Sequence, residues 1–160
     1  MTRFPYAPVW CVLLFAVAGC GFTSSPADHL TFKPPAGWQG SPGMMGFMQL
    51  WKAPGNTNQV LMLFKSPKPL QASEVFNNAD LKDARVVSMQ RVTICGNQPA
   101  EFVKAQGTSQ GVMQNPKQIN VEMMMSNAGG TTYMAMYVYP VGGAPNADAT
   151  AALSELCQKS

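Results

Sequence analysis

Methionine is the most unusual feature of this sequence among the residues that could support chemistry. The chain has 12 methionines among 160 residues, and a strand would direct the thioethers of Met134 and Met136 to the same face. Thioether sulfur is a soft ligand that prefers Cu(I). Methionine is also an adaptable core filler, and residues 119–125 place methionines on one strand face with isoleucine and valine. The pattern favours core packing, with a Met134–Met136 copper(I) site as the alternative.

Candidates for acid–base or nucleophilic catalysis are few. The one histidine, His29, lies beside Asp28 in a polar segment, and Gly-x-Ser-x-Gly and the glycine-rich phosphate motifs are absent from the sequence. Glu101 and Glu122 fall on separate predicted strands, where solvated surface charges are the simpler interpretation. A net charge of +3 is too small to indicate nucleic acid. The sequence therefore predicts a protein that is not an enzyme, has no cofactor and binds no nucleic acid.

Residues 1–19 are typical of an export signal. An apolar run from Val9 to Ala18 has the length of a signal-peptide core and is shorter than the roughly 20 residues of a membrane-spanning helix. The run ends at Val17-Ala18-Gly19-Cys20, which resembles the lipobox of bacterial lipoproteins. The resemblance implies that Cys20 carries diacylglycerol and becomes the first residue after cleavage. An ordinary secretory signal or a retained anchor is the alternative.

Lipidation at Cys20 would decide where the protein resides. Each buried acyl methylene contributes about 0.8 kcal/mol, so two or three chains give stable membrane anchoring. Residues 20–29 are small and polar, as expected of a flexible tether. We expect the exported side of the bacterial cell envelope, with a membrane-anchored domain and possible contact with an envelope protein. Gly21, rather than aspartate, follows the cysteine, and the lipoprotein resemblance then implies the outer membrane in bacteria that have one.

Cysteine usage predicts one disulfide. Of the four cysteines, Cys11 lies in the signal and Cys20 is the lipidation candidate, which leaves Cys95 and Cys157. An exported domain meets an oxidising compartment, where a remaining pair of cysteines forms a disulfide. Two unpaired buried thiols are the alternative.

Residues 30–160 are expected to form a single α+β domain. Strands are predicted at 30–33, 45–52, 59–65, 85–95, 100–108, 117–126 and 131–139, separated by proline and glycine turn clusters. One helix is predicted from about Glu74 to Ala79 with Ser73 as its cap. A second begins after Asn146 and continues to Cys157. The elements predict one mostly antiparallel sheet of about seven strands, covered by two helices.

The last strand also carries three tyrosines on one side, Tyr133, Tyr137 and Tyr139. If exposed, they would form a platform for a sugar or protein ligand. Small residues on the terminal helix, Ala149 and Ala152, indicate close helix approach and favour a covered, core position for the tyrosines.

The element order and the opening segment Leu30-Thr31-Phe32-x-x-Pro35-x-Gly37-Trp38 resemble the PsbP-like domain. This family includes an extrinsic photosystem II subunit and many bacterial lipoproteins. The resemblance implies an α/β/α sandwich. Most members are binding or accessory modules without catalytic activity, and the same role is implied for this chain.

Overall fold

A computed structural model describes residues 30–42, 47–55, 57–78, 81–109 and 117–159. The predicted signal peptide (1–19), Cys20 and the tether (20–29) lie outside the described residues. So do the predicted start of the second strand at Met45 and the predicted end of the first helix at Ala79. Within the described ranges, no helix has the length and apolar character needed to cross a membrane.

Among the described residues, the main sheet has seven strands, and every neighbouring pair is antiparallel. Together with the two strands of a smaller sheet, the strands in chain order are β1 (Leu30–Thr31), β2 (Gln39–Pro42), β3 (Phe47–Lys52), β4 (Val60–Ser66), β5 (Leu81–Ile94), β6 (Gln98–Ser109), β7 (Lys117–Ala128), β8 (Thr131–Pro140) and β9 (Cys157–Gln158). The helices are α1 (Ala72–Asn78) and α2 (Ala147–Ala152), and a 3₁₀ turn (Leu153–Glu155) follows α2. The sheet order is β2-β3-β4-β8-β7-β6-β5, and β1 pairs with β9 in a separate two-stranded sheet. The predicted α+β class is confirmed.

Each face of the sheet packs against one helix, because side chains alternate along every strand. We call these the α1 face and the α2 face. On β4, Leu61 and Leu63 pack with α2 and its 3₁₀ turn, whereas Val60 and Met62 pack with Ala72 and Phe76 of α1. The α1 face carries buried methionines at positions 62, 123, 125, 134 and 136. This layering makes both faces of the central strands apolar.

Helix α2 begins where the sequence predicts and ends earlier. Asn146 Oδ1 accepts a hydrogen bond from the Ala149 N–H at 3.0 Å, which confirms the cap. The α-helix stops at Ala152, and the prediction that it continues to Cys157 is wrong. Cys157 instead lies in β9 opposite Thr31, and an extended residue cannot also continue a helix.

Helix α1 begins earlier than predicted. It starts at Ala72, so Ser73 lies inside it and is not its cap. The backbone N–H of Gln71 donates to Glu74 Oε2 at 2.7 Å, which satisfies a donor that the helix start leaves free. Phe76 is buried against the sheet.

The prediction that residues 30–33 form a strand of the main sheet is wrong. Strand β1 covers only Leu30–Thr31, and it pairs with β9 in the separate two-stranded sheet. Its place in the main sheet is taken by β2, a strand that was not predicted. All four residues of β2 are exposed, and they show no apolar alternation. A Cβ on Gly40 would lie 3.1 Å from the Trp51 indole, so glycine lets β2 approach β3 closely.

Candidate functional site

The two carboxylates considered for catalysis lie on opposite faces of the sheet. Along β6, Glu101 pairs with Met125 and Lys104 pairs with Glu122, and positions three apart on a regular strand point in opposite directions. Glu101 is half-buried on the α1 face. Glu122 is only 3% exposed on the α2 face, so its interpretation as a solvated surface charge is wrong. The structure does not bring this pair together.

Glu122 holds α2 on the sheet. Its Oε1 atom lies 3.0 Å from Lys104 Nζ, and its Oε2 accepts a hydrogen bond from Thr150 Oγ1 at 2.7 Å. A buried carboxylate needs such partners because desolvation otherwise disfavours its charged form. The geometry gives Glu122 a structural role between strand and helix.

The tyrosine side of β8 is covered. Tyr137 is 0% exposed. Its hydroxyl donates to Gln59 Oε1 at 2.8 Å and accepts from the Asn146 N–H at 2.8 Å. Tyr139 stacks on Tyr137 with 4.9 Å between ring centroids. The covered position is confirmed for these two rings, and they offer no open platform for a ligand.

The same burial predicts a loss of stability at alkaline pH. Desolvation is the main reason that the pKa of Tyr137 and of Tyr139 rises above the usual 10.0, and the Glu122 charge raises both further. The unfolded chain therefore releases these protons at lower pH than the native protein does. We expect a constant contribution to stability below about pH 10 and a decrease as the pH rises through the native pKa values.

Tyr137→Phe tests this assignment. The variant leaves Gln59 and the Asn146 N–H without their partner, so we expect the free energy of unfolding at pH 7 to fall by about 1–2 kcal/mol. Above pH 10, the variant should lose less stability per pH unit than the wild type, because one tyrosine with a raised pKa has been removed. Denaturant titrations at pH 7 and at alkaline pH measure both effects. If the variant and the wild type lost the same stability per pH unit above pH 10, the result would contradict the assignment.

The buried methionines are aligned across three strands. Met136 of β8 lies opposite Met62 of β4 on one side and Met123 of β7 on the other, and Met134 lies opposite Met125. All five are at most 5% exposed, which confirms their use in the core. Within the described part of the chain, no group of three or more His, Cys, Asp or Glu residues is placed to hold a metal ion. A metal bound here would have sulfur ligands.

The predicted disulfide is present. Cys95, in the turn between β5 and β6, is bonded to Cys157 of β9, with 5.6 Å between the Cα atoms. The alternative of two unpaired thiols is wrong. Gln98 reinforces the junction, since its Nε2 donates to the Leu156 carbonyl at 3.1 Å and its Oε1 accepts from the Gln158 N–H at 2.9 Å.

Sequence reasoning missed an exposed apolar strip on β5. Strand β5 is 14 residues long and ends the sheet order. It carries three of the four large hydrophobic side chains that are exposed among the described residues, Val86 at 46%, Val87 at 59% and Met89 at 57%. We call these three residues the β5 edge patch. Clustered exposed apolar residues are typical of an interaction surface.

A groove lies beside the β5 edge patch. It has a volume of about 330 Å³ and is lined by Arg91, Val92, Pro99, Ala100, Glu101, Met125 and Asn127. Arg91 lies opposite Glu101, and Met89 lies opposite the buried Val103, so these charged groove residues share the α1 face with Met89. The groove thus adds one positive and one negative side chain to the apolar strip. The β5 edge patch and this groove together form the candidate binding surface among the described residues.

No protein-family model matches this sequence, and a search of curated proteins finds no significant match. Among solved structures, the solution structure of cyanobacterial PsbP (CyanoP) from Synechocystis sp. PCC 6803 is similar, with a TM-score of 0.53 and 14% identity over 79% of this chain and 86% of that one. A Pseudomonas aeruginosa protein of unknown function, described as a putative regulator, has a TM-score of 0.42 and 11% identity over 71% of this chain and 85% of its own. The likeness to CyanoP shows that the fold is PsbP-like.

Proposed function

We propose that this protein is a lipid-anchored binding or accessory module of the bacterial cell envelope that catalyses no reaction. The observation that carries the proposal is the β5 edge patch beside an open groove. The PsbP-like fold supports a binding or accessory role. The expected partner is an envelope protein, because the surface combines exposed apolar side chains with the charged residues Arg91 and Glu101 of the groove.

The proposed anchor lies shortly before the described domain in the sequence. The lipobox resemblance implies a lipid on Cys20, and the described chain begins at Leu30 in β1. A tether over residues 20–29 spans at most about 35 Å when fully extended. The domain would therefore stay within that distance of the bilayer, with the outer membrane as the proposed location in bacteria that have one. A surface held there meets membrane proteins at high effective concentration.

A non-catalytic role agrees with how the reactive side chains are used. Glu122 is engaged by Lys104 and Thr150, the Tyr137 hydroxyl both donates and accepts a hydrogen bond, and the cysteines at 95 and 157 are oxidised. General acid–base or nucleophilic catalysis needs such groups to be free to exchange a proton or attack. Their engagement supports a structural use.

Site-specific photo-crosslinking tests the proposed surface. A benzoylphenylalanine replacing Met89 should give a discrete cross-linked species in intact envelopes, since this side chain is 57% exposed on the β5 edge patch. The matched control replaces Ala151, an exposed residue of α2 on the other side of the sheet. Adduct at position 89 with none at 151 is the expected result. Equal yields at both positions, or none at either, would reject the surface.

A copper(I) carrier is the second candidate, favoured by the alignment of five thioethers across β4, β8 and β7. If it is correct, the full chain should retain Cu(I) against a competing chelator, and M134L/M136L should lose it while keeping its fold. Leucine is close to methionine in volume, so the variant preserves the packing. Failure of the wild type to retain Cu(I) rejects this candidate.

A further inference from the structure

We infer that Met89 is a site of reversible oxidation to methionine sulfoxide, and that this modification switches the β5 edge patch between an apolar and a polar state. The site itself follows from how the fold buries the methionines. The effect of oxidation on binding deepens the proposed function and rests on it. Met89 is 57% exposed, and it lies in the stretch of β5 from Ser88 to Ile94, which pairs residue by residue with β6.

Burial separates Met89 from the other methionines of the described ranges. Met48 is partly buried and packs against the core. A dissolved oxidant reaches a buried thioether only when the structure around it opens, whereas it reaches an exposed thioether in the native state. The remaining methionines are at most 5% exposed, namely Met62, Met123, Met124, Met125, Met134 and Met136. Among these methionines, the fold therefore directs oxidation to position 89.

The reaction balances with a peroxide as the oxidant. A lone pair of the Met89 sulfur attacks one oxygen of hydrogen peroxide, so that an S–O bond forms and the O–O bond breaks. The departing hydroxide takes the proton of the transferred oxygen and leaves as water, and the sulfur gives up the electron pair that the peroxide gains. A methionine sulfoxide reductase reverses the step, because its thiols supply electrons and protons and yield a disulfide and water.

Oxidation at this position alters the surface and leaves the core intact. Met89 lies opposite Val103 and Val86 lies opposite Ala105, so both exposed side chains are on the α1 face, on either side of a bulge. A sulfoxide at Met89 places its oxygen where water already reaches more than half of the side chain. The same change at the buried Met123 would leave a polar oxygen in the core, which is destabilising. The fold thus tolerates oxidation at Met89.

The modification acts on binding through desolvation. A partner that covers Met89 buries a thioether, whose surface is largely apolar, so its removal from water is favourable. Covering the sulfoxide removes a polar oxygen from water, which is unfavourable unless the partner offers a hydrogen-bond donor at that point. We expect oxidation to weaken the contact about tenfold. An oxidant in the envelope would release the partner, and a reductase would restore binding.

Peptide mapping by mass spectrometry tests the oxidation site. The full chain in detergent is treated with limiting hydrogen peroxide, and the gain of one oxygen is followed over time at each methionine. We expect Met89 to react at least about tenfold faster than the buried methionines, and reductases for both sulfoxide epimers to reverse the gain. The same treatment in denaturant is the control, in which the rates should converge. Equal rates in the native chain would overturn the inference.

Photo-crosslinking tests the effect on binding, with benzoylphenylalanine replacing Val87 so that position 89 stays methionine. The purified chain is oxidised, freed of peroxide and added to envelopes that lack the endogenous protein. We expect the yield of the discrete adduct to fall about tenfold on oxidation and to recover after reductase treatment. With Met89→Leu, peroxide should not change the yield relative to the untreated variant. Met89→Gln should give a low yield without peroxide, since its amide is polar.

The outcomes that overturn the inference are distinguishable. Rapid oxidation of Met89 with an unchanged adduct yield would reject the switch and leave the proposed function standing. Adduct from neither the oxidised nor the untreated chain would reject the proposed surface and the switch with it, and mapping alone would decide the oxidation site. A loss of yield that peroxide also causes in Met89→Leu would assign the effect to another residue and reject the role of Met89.

Discussion

Replacing Cys95 and Cys157 with serine is expected to lower the free energy of unfolding by about 4 kcal/mol. The disulfide joins residues separated by 62 positions, and the chain-entropy model gives a stabilisation of that size for such a loop. In the native state, β9 pairs with β1 through only two residue pairs. We therefore expect β1 and β9 to lose their order first when the covalent link is absent.

Denaturant titration of the wild type and of C95S/C157S measures this difference, and the wild type with reductant provides an independent comparison. The variant Cys20→Ser is the matched control because it removes a cysteine outside the pair. Its unfolding midpoint should be unchanged, whereas the reduced wild type should match C95S/C157S. A loss of less than about 1 kcal/mol in the double variant would show that the closed loop contributes little to stability.

Replacing Cys20 with serine is expected to abolish fatty-acid incorporation and to release the protein from the membrane fraction. A serine hydroxyl does not replace the thiol that the lipobox resemblance implies as the acyl acceptor. Two or three acyl chains each contribute about 0.8 kcal/mol per buried methylene, so their loss removes nearly all membrane affinity. Metabolic labelling with a fatty acid, intact mass and fractionation give three readouts of the same event.

Cys11→Ser is the control for this experiment, because it alters a cysteine in the same apolar run without touching the lipidation position. It should retain both label and membrane association. A Cys20→Ser protein that still carries the label, or that sediments with membranes after its signal has been cleaved, would contradict the lipid anchor. That result would reject the proposed membrane location, whereas the PsbP-like fold and the disulfide would not be affected.

The elements that sequence could predict are those whose signal is local. The Asn146 cap needs only its own side chain and the Ala149 N–H, and the alternation along β7 placed Ile119, Val121 and their neighbouring methionines on one buried face. The cysteine pair was predictable because the signal and lipobox interpretations leave two cysteines with no other assignment. These features require no knowledge of which strands are neighbours.

The features that sequence missed depend on distant partners. All four residues of β2 are exposed, so its pairing with β3 leaves no apolar pattern to detect. Cys157 continues a helical spacing in sequence, yet its partners Thr31 and Cys95 draw it into a strand. Val86, Val87 and Met89 are typical of a buried strand. Only the edge position of β5 and the bulge at Val87 explain why they are exposed.

The pairing of the first described strand with the last has a mechanical consequence. A pull on the segment before Leu30 would load β1, whose backbone hydrogen bonds pass the force to β9. Cys157 in β9 is covalently joined to Cys95, at the turn that closes the β5–β6 hairpin. Tension between a bilayer and a protein held on β5 would thus travel through a covalent bridge along one side of the molecule, and the packed interior of the sheet would remain largely unloaded.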